Sequence, residues 1–139
     1  MTGLTIYDLH EEYKHLFEKH EDGRIMRGIE VGEGWLVHVE DMLKSFEWHR
    51  VNNVPKNKTE NNIQIFQIKE KFAQARVYWQ CNNYSTENML HEAVGRFEGK
   101  CSITCEVCGT LQYNCIRTGK NGWIRCICDK CANLSNIAK

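Results

Sequence analysis

Cys105-Glu-Val-Cys108-Gly109 and Cys128-Asp-Lys-Cys131 are two C-x-x-C pairs with 19 residues between them, and they constrain the C-terminal third of the chain more than any other feature. Each pair can close a knuckle whose backbone amides point at the sulfurs, and Gly109 supplies the positive φ that such a turn needs after its second cysteine. Two pairs at this separation predict a four-cysteine zinc ribbon. The intervening residues agree. Tyr113 to Arg117 and Trp123 to Ile127 alternate as strands around Thr118-Gly-Lys-Asn-Gly122, a turn that tolerates left-handed conformations. Four thiolates fill a tetrahedral shell, so the expected cofactor is one structural Zn²⁺ bound by Cys105, Cys108, Cys128 and Cys131.

Cys126-Ile-Cys128-Asp-Lys-Cys131 offers three thiols for two places. Cys128 is preferred because it keeps the C-x-x-C spacing with Cys131, while Cys126 would belong to a strand with Trp123 and Arg125. The chain has eight cysteines in all. Cys81, Cys101, Cys115 and Cys126 lack paired spacing and read as small buried apolar residues. A dithiol redox reading of either pair would need a βαβ context, which the flanking residues do not supply.

The remainder of the 139 residues is enough for one domain with a core. Apolar residues at Ile6, Leu9, Tyr13, Leu16 and Phe17 predict a helix over 5–20 with Thr5 as N-cap, closed by Glu21-Asp22-Gly23. Trp35, Leu36, Val39, Met42, Leu43 and Phe46 predict a second over 34–49, fed by a loop that Gly28, Gly32 and Gly34 mark. Residues 50–62, rich in Asn and Lys and holding the only proline, read as an exposed loop. Ile63–Lys69 and Ala75–Cys81 predict a hairpin without a Gly or Asn in its turn, and the second strand alternates Val77 and Trp79 against Arg76, Tyr78 and Gln80. A third helix over 86–98, capped by Ser85 or Thr86, carries Met89, Leu90, Ala93, Val94 and Phe97 and is expected to stop at Gly99. The expected fold class is therefore α+β, with three helices and a central β-hairpin over 1–100 and the ribbon over 101–139 packed on it.

Charge is balanced overall, 18 basic against 18 acidic, which excludes capture of DNA by the molecule's net field. The halves differ. Residues 1–50 hold 6 basic and 11 acidic side chains, and residues 51–139 hold 12 and 7. Residues 101–139 carry five basic and two acidic groups, but four thiolates on Zn²⁺ add −2, so the ribbon is a weak phosphate binder at most. No apolar run approaches the roughly 20 residues of a membrane span. Asp8, Glu11 and Glu12 stand where a signal peptide would be basic and then apolar, so a cytoplasmic protein without a membrane partner is expected.

Catalytic patterns are not met. His10-Glu11 and His91-Glu92 each lack the second histidine of H-E-x-x-H, and His10, His15 and His20 rotate around a helix at their five-residue spacing. Gly28, Gly32 and Gly34 have no preceding strand and no following Lys-Ser/Thr, and a Cys81–His91 pair would need the fold to bring it together. No catalytic residue is assigned, and the chain is expected not to be an enzyme.

In the order Gly34-Trp35-Leu36, Gln67-Ile68-Lys69-Glu70-Lys71-Phe72 leading into Arg76-Val77-Tyr78, Cys105-Glu-Val-Cys108-Gly109, Gly122-Trp123-Ile124-Arg125 and Cys128-Asp-Lys-Cys131, the chain resembles small zinc-ribbon proteins of phages and prophages, most without an assigned function. The likeness covers 34–131 in patches. Those proteins carry a glycine after the Lys-Glu-Lys-Phe run, where this chain has Ala73. The resemblance implies an accessory protein that binds and inhibits a host macromolecule stoichiometrically in the host cytoplasm, akin to zinc-containing inhibitors of CRISPR nucleases, with a defence nuclease as the expected partner. Glu40 and Glu47 on the acidic half, and Trp48, off the stripe of its helix, are the expected contacts. The alternative is a nucleic-acid-binding ribbon using Arg117, Lys120, Arg125 and Lys130.

Overall fold

A computed structural model describes residues 3–53, 62–113, 115–118, 122 and 124–135. Its elements run α1 (Ile6–Glu12), β1 (Gly28–Glu30), α2 (Leu36–Asn52), β2 (Ile63–Lys71), β3 (Gln74–Cys81), α3 (Tyr84–Cys101), β4 (Ile116–Thr118), β5 (Ile124–Cys126) and α4 (Asp129–Ser135). The class is α+β as expected. The described residues nevertheless contain four α-helices instead of three, and the central hairpin is part of a three-stranded mixed sheet in the order β1-β2-β3.

The difference begins at Tyr13. Thr5 caps α1 as its sequence predicts, accepting from the Asp8 amide at 3.1 Å while Asp8 accepts from the Thr5 amide at 3.2 Å. The helix then ends at Glu12 and gives way to a single 3₁₀ turn, Lys14–Leu16. Phe17 pairs in parallel with Ile65, and the Glu18 amide donates to the Ile65 carbonyl at 2.9 Å. Pairing with a strand far along the chain thus outweighs local helical periodicity. Further along the same edge of β2, β1 pairs in parallel, Ile29 with Ile68.

β2 and β3 form the predicted hairpin, with a bulge at Phe66 between Ile65 and Gln67. Its two-residue turn, Phe72-Ala73, has φ of 54° and 66°. Both signs are those of a type I′ turn, which Asn and Gly occupy with less strain.

Asn83, not Ser85 or Thr86, caps α3, accepting from the Thr86 amide at 3.2 Å. The helix runs through Gly99 to Cys101 because Phe97 and Cys101 are both buried and keep the last turn on the core. The core lies between one sheet face (Ile63, Ile65, Ile68, Ala75) and the stripes of α2 and α3, with Leu9, Tyr13, Leu16 and Phe17 closing one side. Phe46 meets Trp79 edge-on at 5.4 Å. Cys101, Cys115 and Cys126 join this same core, so the cysteine-rich segment shares the main apolar interior.

Candidate metal centre

Cys105 and Cys108 lie in the turn that follows α3, while Cys128 precedes α4 and Cys131 sits in its first turn. The first knuckle is closed by Gly109 N–H to the Cys105 carbonyl at 2.9 Å, and Gly109 has φ 81°, the conformation its position predicts. The second is closed by Ala132 N–H to the Cys128 carbonyl, also at 2.9 Å. β4 and β5 pair antiparallel between the knuckles, Ile116 opposite Cys126, and the Asp129 amide donates to Gln112 Oε1 at 3.1 Å, tying α4 to the first knuckle's return strand.

The four sulfurs converge. Sγ atoms of Cys105, Cys108, Cys128 and Cys131 all lie within 4.8 Å of one another, and Cys108 and Cys128 are 3.7 Å apart. A tetrahedron with metal–sulfur bonds near 2.3 Å has edges of about 3.8 Å, so the donor set fits one tetrahedral, thiophilic cation. Thr110 lies 3.2 Å from Cys108 Sγ, and hydrogen bonds from its side chain and backbone hold that thiol down to about 6. Burial pushes Cys131 in the opposite direction, up to about 12. Four sulfurs this close cannot all ionise alone, and a divalent cation supplies the compensating charge.

Cys126 is excluded from the ligand set by its surroundings. Its Sγ points at the carbonyl oxygens of Thr104 (3.2 Å) and Cys101 (3.5 Å), and burial drives its ionisation upward. It acts there as a neutral thiol donor inside the core. Cys101 is likewise held neutral, chiefly by burial.

The residues that seat the first knuckle escaped the sequence reading. Gly34 N–H donates to the Glu106 carbonyl at 2.7 Å, and Gly32 N–H to Glu106 Oε2 at 2.9 Å. A Cβ on Gly34 would overlap the Cys105 carbonyl and stand 2.6 Å from the Gly109 amide, and one on Gly32 would meet Glu106 Cγ at 2.7 Å. The two glycines therefore let the backbone before α2 lie directly on the knuckle. Trp35 Nε1 donates to the Thr104 carbonyl at 2.8 Å, and His38 Nε2 lies 3.0 Å from Thr104 Oγ1. The Thr104 hydroxyl already donates to the Lys100 carbonyl at 2.6 Å, so His38 carries its proton on Nε2. Glu106 is buried at 5% exposure, which raises its carboxyl, and Arg125 Nη2 lies 3.8 Å from its Oε1. The Gly-x-Gly-Trp run was the available signal, but its partner lies about 70 residues away.

The expected partner residues are scattered. Glu40 and Glu47 pair along α2 with Lys44 (4.0 Å) and Arg50, and each retains a quarter of its side-chain exposure. Trp48 is 55% exposed. Arg125 is engaged at Glu106, and Arg117 stands opposite it in the β4–β5 ladder with its side chain outside the described residues. Lys120 and Trp123 also lie outside the described residues, and Lys130 is exposed. Cys81 and His91 border one open cavity, but burial and Glu87 raise the Cys81 thiol, the reverse of what a nucleophile needs. No described helix is long and apolar enough to cross a membrane.

Compared with known proteins, the chain matches no family, no curated protein and no solved structure.

Proposed function

We propose that this chain acts by stoichiometric binding to a macromolecular partner, as a phage-type accessory protein that inhibits a host defence factor such as a nuclease, and that its four-cysteine centre holds a structural Zn²⁺. The observation that carries the reading is Trp48. It stands in the last turns of a 17-residue helix, and Val51, one turn further, is 56% exposed. A tryptophan displayed on a rigid helix next to a second apolar side chain is the usual chemistry of an interface anchor. The zinc contributes rigidity: four thiolates saturate the ion and fix the knuckles against the start of the same helix. Glu40 and Glu47 shape the field around α2 while paired within it, so their effect on association is mainly on its rate.

The test is capture from a bacterial lysate with the wild-type chain and Trp48→Ala, followed by titration of the captured protein's activity. The expected result is capture by wild type only, with inhibition complete at one equivalent. Equal capture by Trp48→Ala, at unchanged zinc content, would sink the reading.

A further inference from the structure

We propose that the face of the β1-β2-β3 sheet turned away from the helices is a docking surface for single-stranded nucleic acid. Side chains alternate across a strand, so the residues between the buried Ile63, Ile65, Ile68 and Ala75 point outward. Those outward positions carry three cations, Lys69, Lys71 and Arg76, against one carboxylate, Glu30. Glu30 Oε1 accepts from Gln67 Nε2 at 3.1 Å. Among the described residues no carboxylate stands within ion-pair distance of the three cations.

Lys69 and Arg76 are direct cross-strand partners. Opposed like charges destabilise a sheet, so the fold itself does not account for this pairing. Arg76 shows the same surplus at atomic scale: its Nη2 donates to Gln74 Oε1 at 3.0 Å, while its Nε–H is buried without an acceptor. An anionic oxygen arriving from solvent supplies the counter-charge that the opposed Lys69 and Arg76 lack.

An aromatic ring selects nucleic acid over other polyanions. Tyr78 is 43% exposed on this face, with Lys69 Nζ 6.0 Å from its ring centre. An open cavity of about 490 Å³ that Tyr78 also borders runs from this face over the β3 edge toward α3, between Phe66, Trp79, Gln80 and His91; its carboxylate, Glu87, lies 3.8 Å from His91 Nε2. Gln64 and Gln80 face each other across the strands and present amide groups that both donate and accept, as base edges require. Cations along a backbone track and an aromatic platform for a splayed base are the elements of single-strand binding on a sheet. A duplex, with its bases stacked inside, would use only the cations.

The test is fluorescence anisotropy of a labelled 12-nucleotide RNA, the same DNA strand and its duplex, across a salt series with the full zinc-loaded chain. Three phosphate contacts at about 0.7 each predict a log–log salt slope near −2 for single strands. Lys69→Gln with Lys71→Gln should take about 1.4 from that slope, and Tyr78→Ala should weaken single-strand binding about tenfold while leaving the slope in place. Because these side chains are at the surface, the variants keep the fold, and zinc content and circular dichroism verify it. The proposal is overturned by equal affinity for the duplex, by unchanged binding in Tyr78→Ala, or by poly-glutamate competing as well as RNA, which would identify the face as a site for acidic protein. Loss in Lys130→Gln but not in the Lys69 and Lys71 variants would move binding to the ribbon. Trp48→Ala leaves RNA binding unchanged, so failure of the inhibitor reading is read separately.

Discussion

The indole of Trp35 donates to the carbonyl of Thr104 at 2.8 Å, one residue before the first cysteine of the four-sulfur cluster. A fully buried side chain at the start of α2 thus holds the peptide that presents Cys105. Trp35→Phe keeps a ring in the core but removes the donor. The Thr104 carbonyl retains the Cys126 thiol at 3.2 Å, so it is not wholly orphaned. The expected cost is about 2 kcal/mol, combining the lost hydrogen bond with the volume removed. Urea unfolding measures it, and zinc release to a chelator should accelerate in the same variant because the knuckle loses its seat.

The ligand assignment separates two cysteines that sit two residues apart. Cys108→Ser and Cys128→Ser each remove a sulfur from the tetrahedral set and should abolish the one-zinc mass increment in native mass spectrometry. Cys126→Ser should retain it, since that side chain points at carbonyls of the core and its hydroxyl can donate to the same oxygens. Chelation of wild type should loosen residues 101–135 in hydrogen exchange, because burial and ligation there involve the same four side chains. Zinc retained in Cys128→Ser and lost in Cys126→Ser would reverse the assignment.

The two C-x-x-C pairs were legible because their spacing is a local constraint, set by the two residues between thiols. The stripe of α2 was legible for a similar reason: Val39, Met42, Leu43 and Phe46 fall on one face at helical period, and all are buried. Phe17 was not. Its spacing continues the stripe of α1, and only Ile65, 48 positions later, draws it into the sheet. β1 is three residues long, too short for alternation to register. Gly32 and Gly34 read as loop punctuation because a glycine's reason for being there is the atom a Cβ would strike, here in Cys105, Glu106 and Gly109.

α3 contains two glycines in exposed positions, Gly95 and Gly99, and a Cβ on either would meet nothing within 4 Å. Neither has a positive φ. Each therefore carries the entropic cost of glycine in a helix without a steric return. Gly95→Ala and Gly99→Ala should each stabilise the protein by about 0.5–1 kcal/mol, since neither added Cβ meets a neighbouring atom. The denaturation midpoint should rise with an unchanged m-value. A loss of stability at Gly99 would show that its turn is not regular helix.

His10 gives the acid limb of stability a specific origin. Its Nε2 accepts from the Ile29 amide at 3.0 Å, and its ring meets Phe17 edge-on at 5.1 Å. Burial lowers its ionisation below the usual 6.5, and protonation would remove the acceptor that β1 uses. Above pH 6.5 the folded and unfolded chains both hold a neutral ring, so this contribution is complete. Between 6.5 and the folded value the unfolded chain takes up a proton that the folded chain does not, and stability falls as pH falls. His38 and His49, also lowered by burial, act in the same direction. His10→Gln, which keeps an acceptor for Ile29, should shrink the difference between urea midpoints at pH 7.5 and 5.5 without abolishing it. An NMR titration of the His10 ring in wild type should place its midpoint below 6.5, and a midpoint above that value would remove His10 from the account.

The β2–β3 turn is where local preference and fold disagree. Phe72 and Ala73 both adopt positive φ, which costs a side-chain-bearing residue about 1–2 kcal/mol. The turn is nevertheless held by Ala73 N–H donating to Glu70 Oε2 at 2.8 Å, and by the ladder beyond it, Lys71 with Gln74 and Glu70 with Ala75. Ala73 is buried, so exchanging it for glycine also deletes a packed methyl, and the two effects nearly cancel. Phe72 is 66% exposed and contributes little packing. Phe72→Asn should therefore stabilise the hairpin by up to about 1 kcal/mol, since asparagine tolerates the left-handed region. Urea denaturation should show the gain, and amide exchange should slow first at Lys71 and Gln74. A drop in stability would mean that the Phe72 ring, 5.8 Å from Lys71 Nζ, holds the turn more strongly than its backbone strains it.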